Sequence, residues 1–168
     1  GTVQSIKELA AVAHRYRIPF HSDGTAAVGR IPVDVAELDV DAYTFPAMSV
    51  YGPKGAAALY LKRGTRIQSL VEGGIQEKNR RAGTEDVAAI AGVGTAAAVT
   101  EARLSEWSEA MAKLAQRIFK ELPERLDHVT FTGPVPLGTR SESSKDSVMS
   151  RANRVPGHVS VVVEFVEG

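Results

Sequence analysis

The segment order of this 168-residue chain predicts an α/β fold, a mainly parallel sheet covered by helices. Three observations lead there. Apolar residues at helical spacing open the chain, short apolar runs punctuated by Gly, Pro and Asp follow, and a long helical stretch comes after them. Hydrophobic residues at 43% and charged residues at 24% supply a core and exclude wholesale disorder. The length suits one ordinary domain, or pieces of two smaller ones.

The elements follow in order. Ser5 and Glu8 have capping-box spacing, and Ile6, Leu9, Ala10 and Ala13 form an apolar face, so a helix is expected over 5–16. A short strand over 17–23 ends in His21-Ser22-Asp23, and Gly24 and Gly29 bracket the next turn. Asp34 is placed to cap a short helix through Leu38. A second strand, 42–45, closes at Pro46, and a turn over 51–55 leads to a third strand over 56–61. A helix is expected over 85–122, stopped by Pro123, with Leu104, Trp107, Met111, Leu114 and Ile118 as its buried stripe. Strands over 129–132 and 158–165 flank a polar, Ser-rich stretch, 137–153, that reads as a mobile loop. No internal repeat is present.

Several function classes are excluded or disfavoured. Lys plus Arg and Asp plus Glu both number 20, and this zero balance argues against a nucleic-acid or membrane-surface protein. The absence of Cys rules out disulfides, a Cys-ligated zinc and a thiol nucleophile within this chain. His14, His21, His128 and His158 have no ligand spacing, so no metal site is expected. No apolar run reads as long enough to span a bilayer, and no basic-then-apolar leader opens the chain; a soluble, cytoplasmic protein is the expectation. Residue 1 is Gly and the last residues break off in or just past a strand, so a segment of something longer is expected.

Three constellations are candidates for chemistry. Asp23, at the carboxyl end of a strand, is placed either to hold a protonated ring nitrogen of a ligand or to cap the following turn. In the stretch 73–84, GGIQEKNRRAGT, Arg80, Arg81 and Thr84 precede a helix start that favours an anion, and Thr84 serves equally as a plain N-cap. Gly92-Val93-Gly94-Thr95-Ala96-Ala97 matches a relaxed dinucleotide fingerprint, but no strand precedes it, so small residues permitting close helix packing are the better reading.

Long blocks in one order carry a family resemblance: VQSIKELAAVAHRYRIPFHSDGTAAVGRIPVDVAELDVDAYTF, YGPKGAAALYLKRG, GGIQEKNRRAGTEDVAAIAGVG and RVPGHVSV. The chain resembles the cysteine desulfurases, class V aminotransferases of the fold-type I pyridoxal-phosphate enzymes. The resemblance implies that residues 1–87 are the second half of the large domain, and that 88–168 are a long helix and the start of the small α+β domain. It implies pyridoxal phosphate as the family's cofactor, Asp23 as the partner of its ring nitrogen, and Thr84 as a contact to the phosphate of a neighbouring subunit. A homodimer and a sulfur-acceptor protein are the implied partners, with no nucleic acid and no membrane. The family's phosphate-binding turn and ring-stacking His would precede residue 1, and its catalytic Cys loop would follow residue 168.

The departures matter more than the matches. Where the family reads S-[AG]-H-K-[LIV]-Y-G-P, this chain has Pro46-Ala47-Met48-Ser49-Val50-Tyr51-Gly52-Pro53, so Ser49 stands for the Schiff-base lysine, Pro46 for the Ser and Met48 for the His. Ala26 replaces a ring-contacting Gln, Gly24 an Ala, and Asp86 an Asn. A serine hydroxyl neither anchors the cofactor nor moves the α-proton at neutral pH. Cofactor binding by this chain is thus in question, no residue is assigned as catalytic, and a degenerate desulfurase-like segment is expected. The alternatives are a split or rearranged enzyme that recruits Lys54 as the imine lysine, and a non-catalytic dimer or partner-binding module.

Overall fold

The computed structural model describes residues 1–134 and 153–165. Its element order is α1 (Ile6–Arg15), β1 (His21–Asp23), α2 (Val35–Leu38), β2 (Ala42–Pro46), a 3-10 turn (Ala47–Val50), β3 (Ala57–Leu61), α3 (Gln76–Asn79), α4 (Val87–Arg125), β4 (Val129–Phe131) and β5 (Val161–Val163). The chain packs as two units: Ser5–Ala102, and Gly1–Gln4 together with Arg103–Gly168. The Ser-rich stretch expected to be a loop lies, but for Asn153, outside the described residues.

The unit over Ser5–Ala102 is built on a three-stranded sheet in the order β1-β2-β3. β1 and β2 pair in parallel, with His21 opposite Ala42 and Asp23 opposite Thr44. The crossover between them carries α2, as an α/β unit requires. β2 and β3 are antiparallel, because the short connection through the 3-10 turn cannot reach back for a parallel start. The sheet among the described residues is therefore mixed. Asp34 caps α2 as expected, accepting from the amides of Ala36 at 2.8 Å and Glu37 at 3.1 Å.

One polar cluster ties α1 to the starts of β1 and β2 and to the end of β3. Asp41 accepts from the Phe20 amide at 2.8 Å and meets His14 Nε2 at 2.8 Å, while its own carbonyl accepts from the Lys62 amide. Asp39 pairs with Lys62 Nζ at 2.6 Å and lies 3.4 Å from His14 Nδ1. The Phe20 amide, then His14, holds the Asp41 carboxyl below its ordinary range, against the opposing effect of burial. Beneath the β1 end, the ring of Tyr43 is buried and fills the space that a β-carbon on Gly24 would need.

The unit containing Arg103–Gly168 closes on a smaller core, with Phe119 packed edge-on to Phe131 at 4.7 Å beside Ala115. β4 and β5 are antiparallel. The first residues join here: the Val3 amide donates to the Asn153 carbonyl and the Val155 amide to that of Gly1, both at 2.7 Å. Arg154 donates to the carbonyls of Thr132, Pro134 and His158, and its guanidinium lies over the Phe119 ring.

Several expectations change. The capping box does not form: the Ser5 side chain makes no cap bond, and its carbonyl takes the Leu9 amide instead. Leu9 is half-exposed, so that face of α1 is anchored by buried Ala10 with Ile6 and Ala13 partly buried beside it. Residues 17–20 stay outside β1, with Arg17 left-handed at φ 58°. Pro123 does not stop α4; it removes only its own amide donor, and the Leu126 amide still reaches the Leu122 carbonyl at 3.0 Å. The buried row of α4 runs through Ala115 and Phe119, while Met111, Leu114 and Ile118 are about half exposed. The helix also has an 18-residue window of mean hydropathy 1.3, long and apolar enough to cross a membrane by length and composition. Charged residues such as Glu101 and Arg103 break the apolar run along the chain, whereas an average over the helix tolerates them. Gly92 packs the same helix against Pro53.

Two outcomes follow. Gly24→Ala is expected to cost about 1–3 kcal/mol by overpacking against Tyr43, measured by urea unfolding, and Tyr43→Leu in the same chain should recover most of it. A carboxyl depressed in the folded state stabilises above its unfolded value, near pH 4, and that stabilisation is lost as pH falls through the folded value. Unfolding midpoints stepped down from pH 7 should therefore fall through that window, and Asp41→Asn should start lower and fall less.

Candidate functional site

The carboxyl ends of β1 and β2 lie side by side because the two strands are parallel, and the Gly24 amide extends their ladder to the Thr44 carbonyl at 2.7 Å. This places Asp23 at the lip of an open cleft of about 370 Å³, lined by Asp23, Thr25, Thr44, Pro46 and the β3 residues Ala57 and Leu59, among others. Asp23 Oδ1 accepts from the Thr25 amide at 2.8 Å and the Thr25 hydroxyl at 2.5 Å. Both bonds fall on one oxygen, and no bond to Oδ2 is found among the described residues. Asp23 is thus both a turn cap and an exposed acceptor, which joins the two readings the sequence left open. The Thr25 hydroxyl, then the Thr25 amide, draws its carboxyl below the ordinary range, with His21 adding a little.

Tyr43 backs this carboxylate from below. Burial, and next the charge of Asp23, pushes its phenol above the ordinary value, which keeps it neutral. His21 faces Thr44, with Nε2 at 3.0 Å from the hydroxyl. Ser49, on the 3-10 turn, is half-buried and donates to the Thr25 carbonyl at 3.0 Å. None of the residues lining the Asp23 cleft is a lysine. Lys54 sits exposed in the turn before β3 and is not part of that lining.

Thr84 lies elsewhere. With Arg81, Gly83, Glu77, Glu85 and Asp86 it lines a second cleft of about 290 Å³ that meets the first at Ala57. Arg80 is exposed and outside it, while the Arg81 guanidinium is bonded to the Ala82 carbonyl. One cation against three carboxylates makes a poor anion site. The N-cap role proposed for Thr84 falls to Asp86, whose carboxylate accepts from the Ala89 amide at 3.0 Å. Three consecutive left-handed residues, Glu77, Lys78 and Asn79, shape the approach. The Gly-rich stretch over 92–97 lies inside α4, so it forms no dinucleotide turn. Among the described residues no His, Asp or Glu group could hold a metal.

The Ser49–Thr25 bond is the feature that sequence reading missed. A serine read as the loss of a lysine gives no sign of what its hydroxyl meets 24 residues away.

A family model described as Aminotransferase class-V matches residues 1–150. The cysteine desulfurase IscS of Dictyoglomus turgidum is 38% identical over 168 residues, all of this chain and 39% of that protein. The cysteine desulfurase of Gluconacetobacter diazotrophicus is 35% identical over 168 residues, 38% of its own length. A NifS-like protein from Rickettsia africae superposes with a TM-score of 0.80 over 99% of this chain and 42% of its own, at 28% identity. The chain thus spans about two fifths of the length of these relatives. Matched along most of its sequence and nearly all of its backbone, the chain belongs to the class-V aminotransferase family.

Proposed function

We propose that this chain is a cysteine desulfurase-like segment that has lost the chemistry of its relatives, which in the family takes sulfur from cysteine and leaves alanine and an enzyme persulfide. The observation that carries this reading is that no amine lines the Asp23 cleft, where a covalent anchor for pyridoxal phosphate would be required. The residues present fit that cofactor at one end only. Asp23, with one oxygen open, suits a protonated ring nitrogen, and a protonated ring is what lets the cofactor draw electrons. Ser49 does not fit the anchor, and the acidic lining around Thr84 does not by itself fit a phosphate. No catalytic step is assigned to these residues.

A second reading keeps the fold for binding and not for catalysis. Met48, Tyr51, Leu70, Ile75 and Val87, all in the unit over Ser5–Ala102, are each at least 70% exposed. Large apolar side chains at that exposure favour a module covered by another chain, a second copy or a sulfur-acceptor protein. A dimer with sites shared between copies is also supported by Asp23 and Thr84 lining different clefts.

Titration of the chain with pyridoxal phosphate, followed by borohydride trapping and peptide mapping, tests the first reading. Adducts scattered over surface lysines, with no saturable visible band, are expected. A saturable band that maps to Lys54 and disappears in Lys54→Ala would overturn that reading and establish the rearranged enzyme. For the second, sedimentation is expected to show a dimer at micromolar concentration, and a strict monomer counts against pairing with a second copy.

A further inference from the structure

Ser49 stands where the family carries its lysine, and its hydroxyl is engaged. It donates to the Thr25 carbonyl at 3.0 Å, and Thr25 in turn holds Asp23 Oδ1 through its amide at 2.8 Å and its hydroxyl at 2.5 Å. We propose that Ser49 is a positioning residue for Asp23, acting through Thr25, so that substitution at the lysine position now orders the carboxylate without any bound group. The relay itself rests on this geometry; only its use, presenting Oδ2 to a ring that bears an N–H, rests on the proposed reading of Asp23.

Three features argue for a built connection. The two segments approach closely enough to require glycine: a β-carbon on Gly29, whose φ is 79°, would lie 2.5 Å from the Ser49 carbonyl oxygen. The other donor to the Thr25 carbonyl, Arg30 Nη1, is longer at 3.4 Å, so Ser49 supplies the better bond. A lysine at position 49 would put a methylene where serine puts its hydroxyl, and its amine would lie three bonds further out on a flexible stem. The ancestral residue could therefore not make this bond, and the turn over Asp23–Thr25 would depend on other contacts.

The position of Asp23 can be read without a cofactor, by carboxyl-carbon NMR titration of the 168-residue chain and by amide hydrogen exchange. In Ser49→Ala the Asp23 midpoint should move upward while that of Asp41 stays, and the Thr25 amide should exchange about fivefold faster, the factor lost with one ordinary hydrogen bond. Ser49→Thr, which keeps the hydroxyl, should behave as the wild type. Should Ser49→Ala fail to fold, Ser49→Cys keeps the shape with a weak donor and should move Asp23 in the same direction. An Asp23 midpoint unmoved in the folded variant, or a Ser49→Thr chain that behaves like Ser49→Ala, overturns the proposal. Neither result depends on trapping at Lys54, so failure of the relay and failure of the functional reading are separable.

Discussion

The parallel ladder between β1 and β2 is the constraint from which the candidate site follows. Because the strands run the same way, both reach their carboxyl ends at one edge of the sheet, and the Gly24 amide bonded to the Thr44 carbonyl brings the two exits together. Asp23 leaves one strand and Pro46 leads from the other into the turn that carries Ser49. An antiparallel pair would have placed these groups at opposite edges. The other end of the ladder is closed by Asp41, whose carboxylate and main chain join Phe20, His14 and Lys62.

Around that edge, steric and polar contacts converge. Gly24 has no β-carbon, and the Tyr43 ring occupies the space one would need. The result is a buried phenol under an exposed carboxylate, with the turn above held by Thr25 and Ser49. A group of contacts at the Asp23 cleft thus supports itself through protein–protein bonds. A turn stabilised from within stays ordered when no ligand is present.

Legibility varied with the range of the interaction. The Asp34 cap was readable because a carboxylate reaches amides two and three residues ahead whatever else the chain does. Ser5 has the same local signature, yet its backbone took a dihedral pair that gives its side chain no cap bond. On α4 the apolar spacing marked a helix but not which row faces inward: Phe119 and Ala115 are chosen by Phe131, twelve residues or more along the chain, and Ile118 is left half-exposed. The sequence pointed to Thr84 as the cap of α4, and the position of the Ala89 amide gave that role to Asp86.

Sequence alone determined the α/β class, the order of the main helices and strands, and the family. Those follow from periodicity, from turn chemistry and from long ordered blocks, all of which are written along the chain. The tertiary structure alone decided that Asp23 keeps one oxygen open, that Tyr43 fills the place of a β-carbon at Gly24, that Thr84 faces a mostly acidic cleft, and that Ser49 bonds Thr25. Apart from Asp23, whose two bonds reach only Thr25, each depends on groups 19 or more residues apart, or on charges gathered from several turns, meeting within a few ångströms. Hydrogen bonds and steric contacts act over such distances in space, whereas a residue pattern carries no record of which partner the folded backbone will supply.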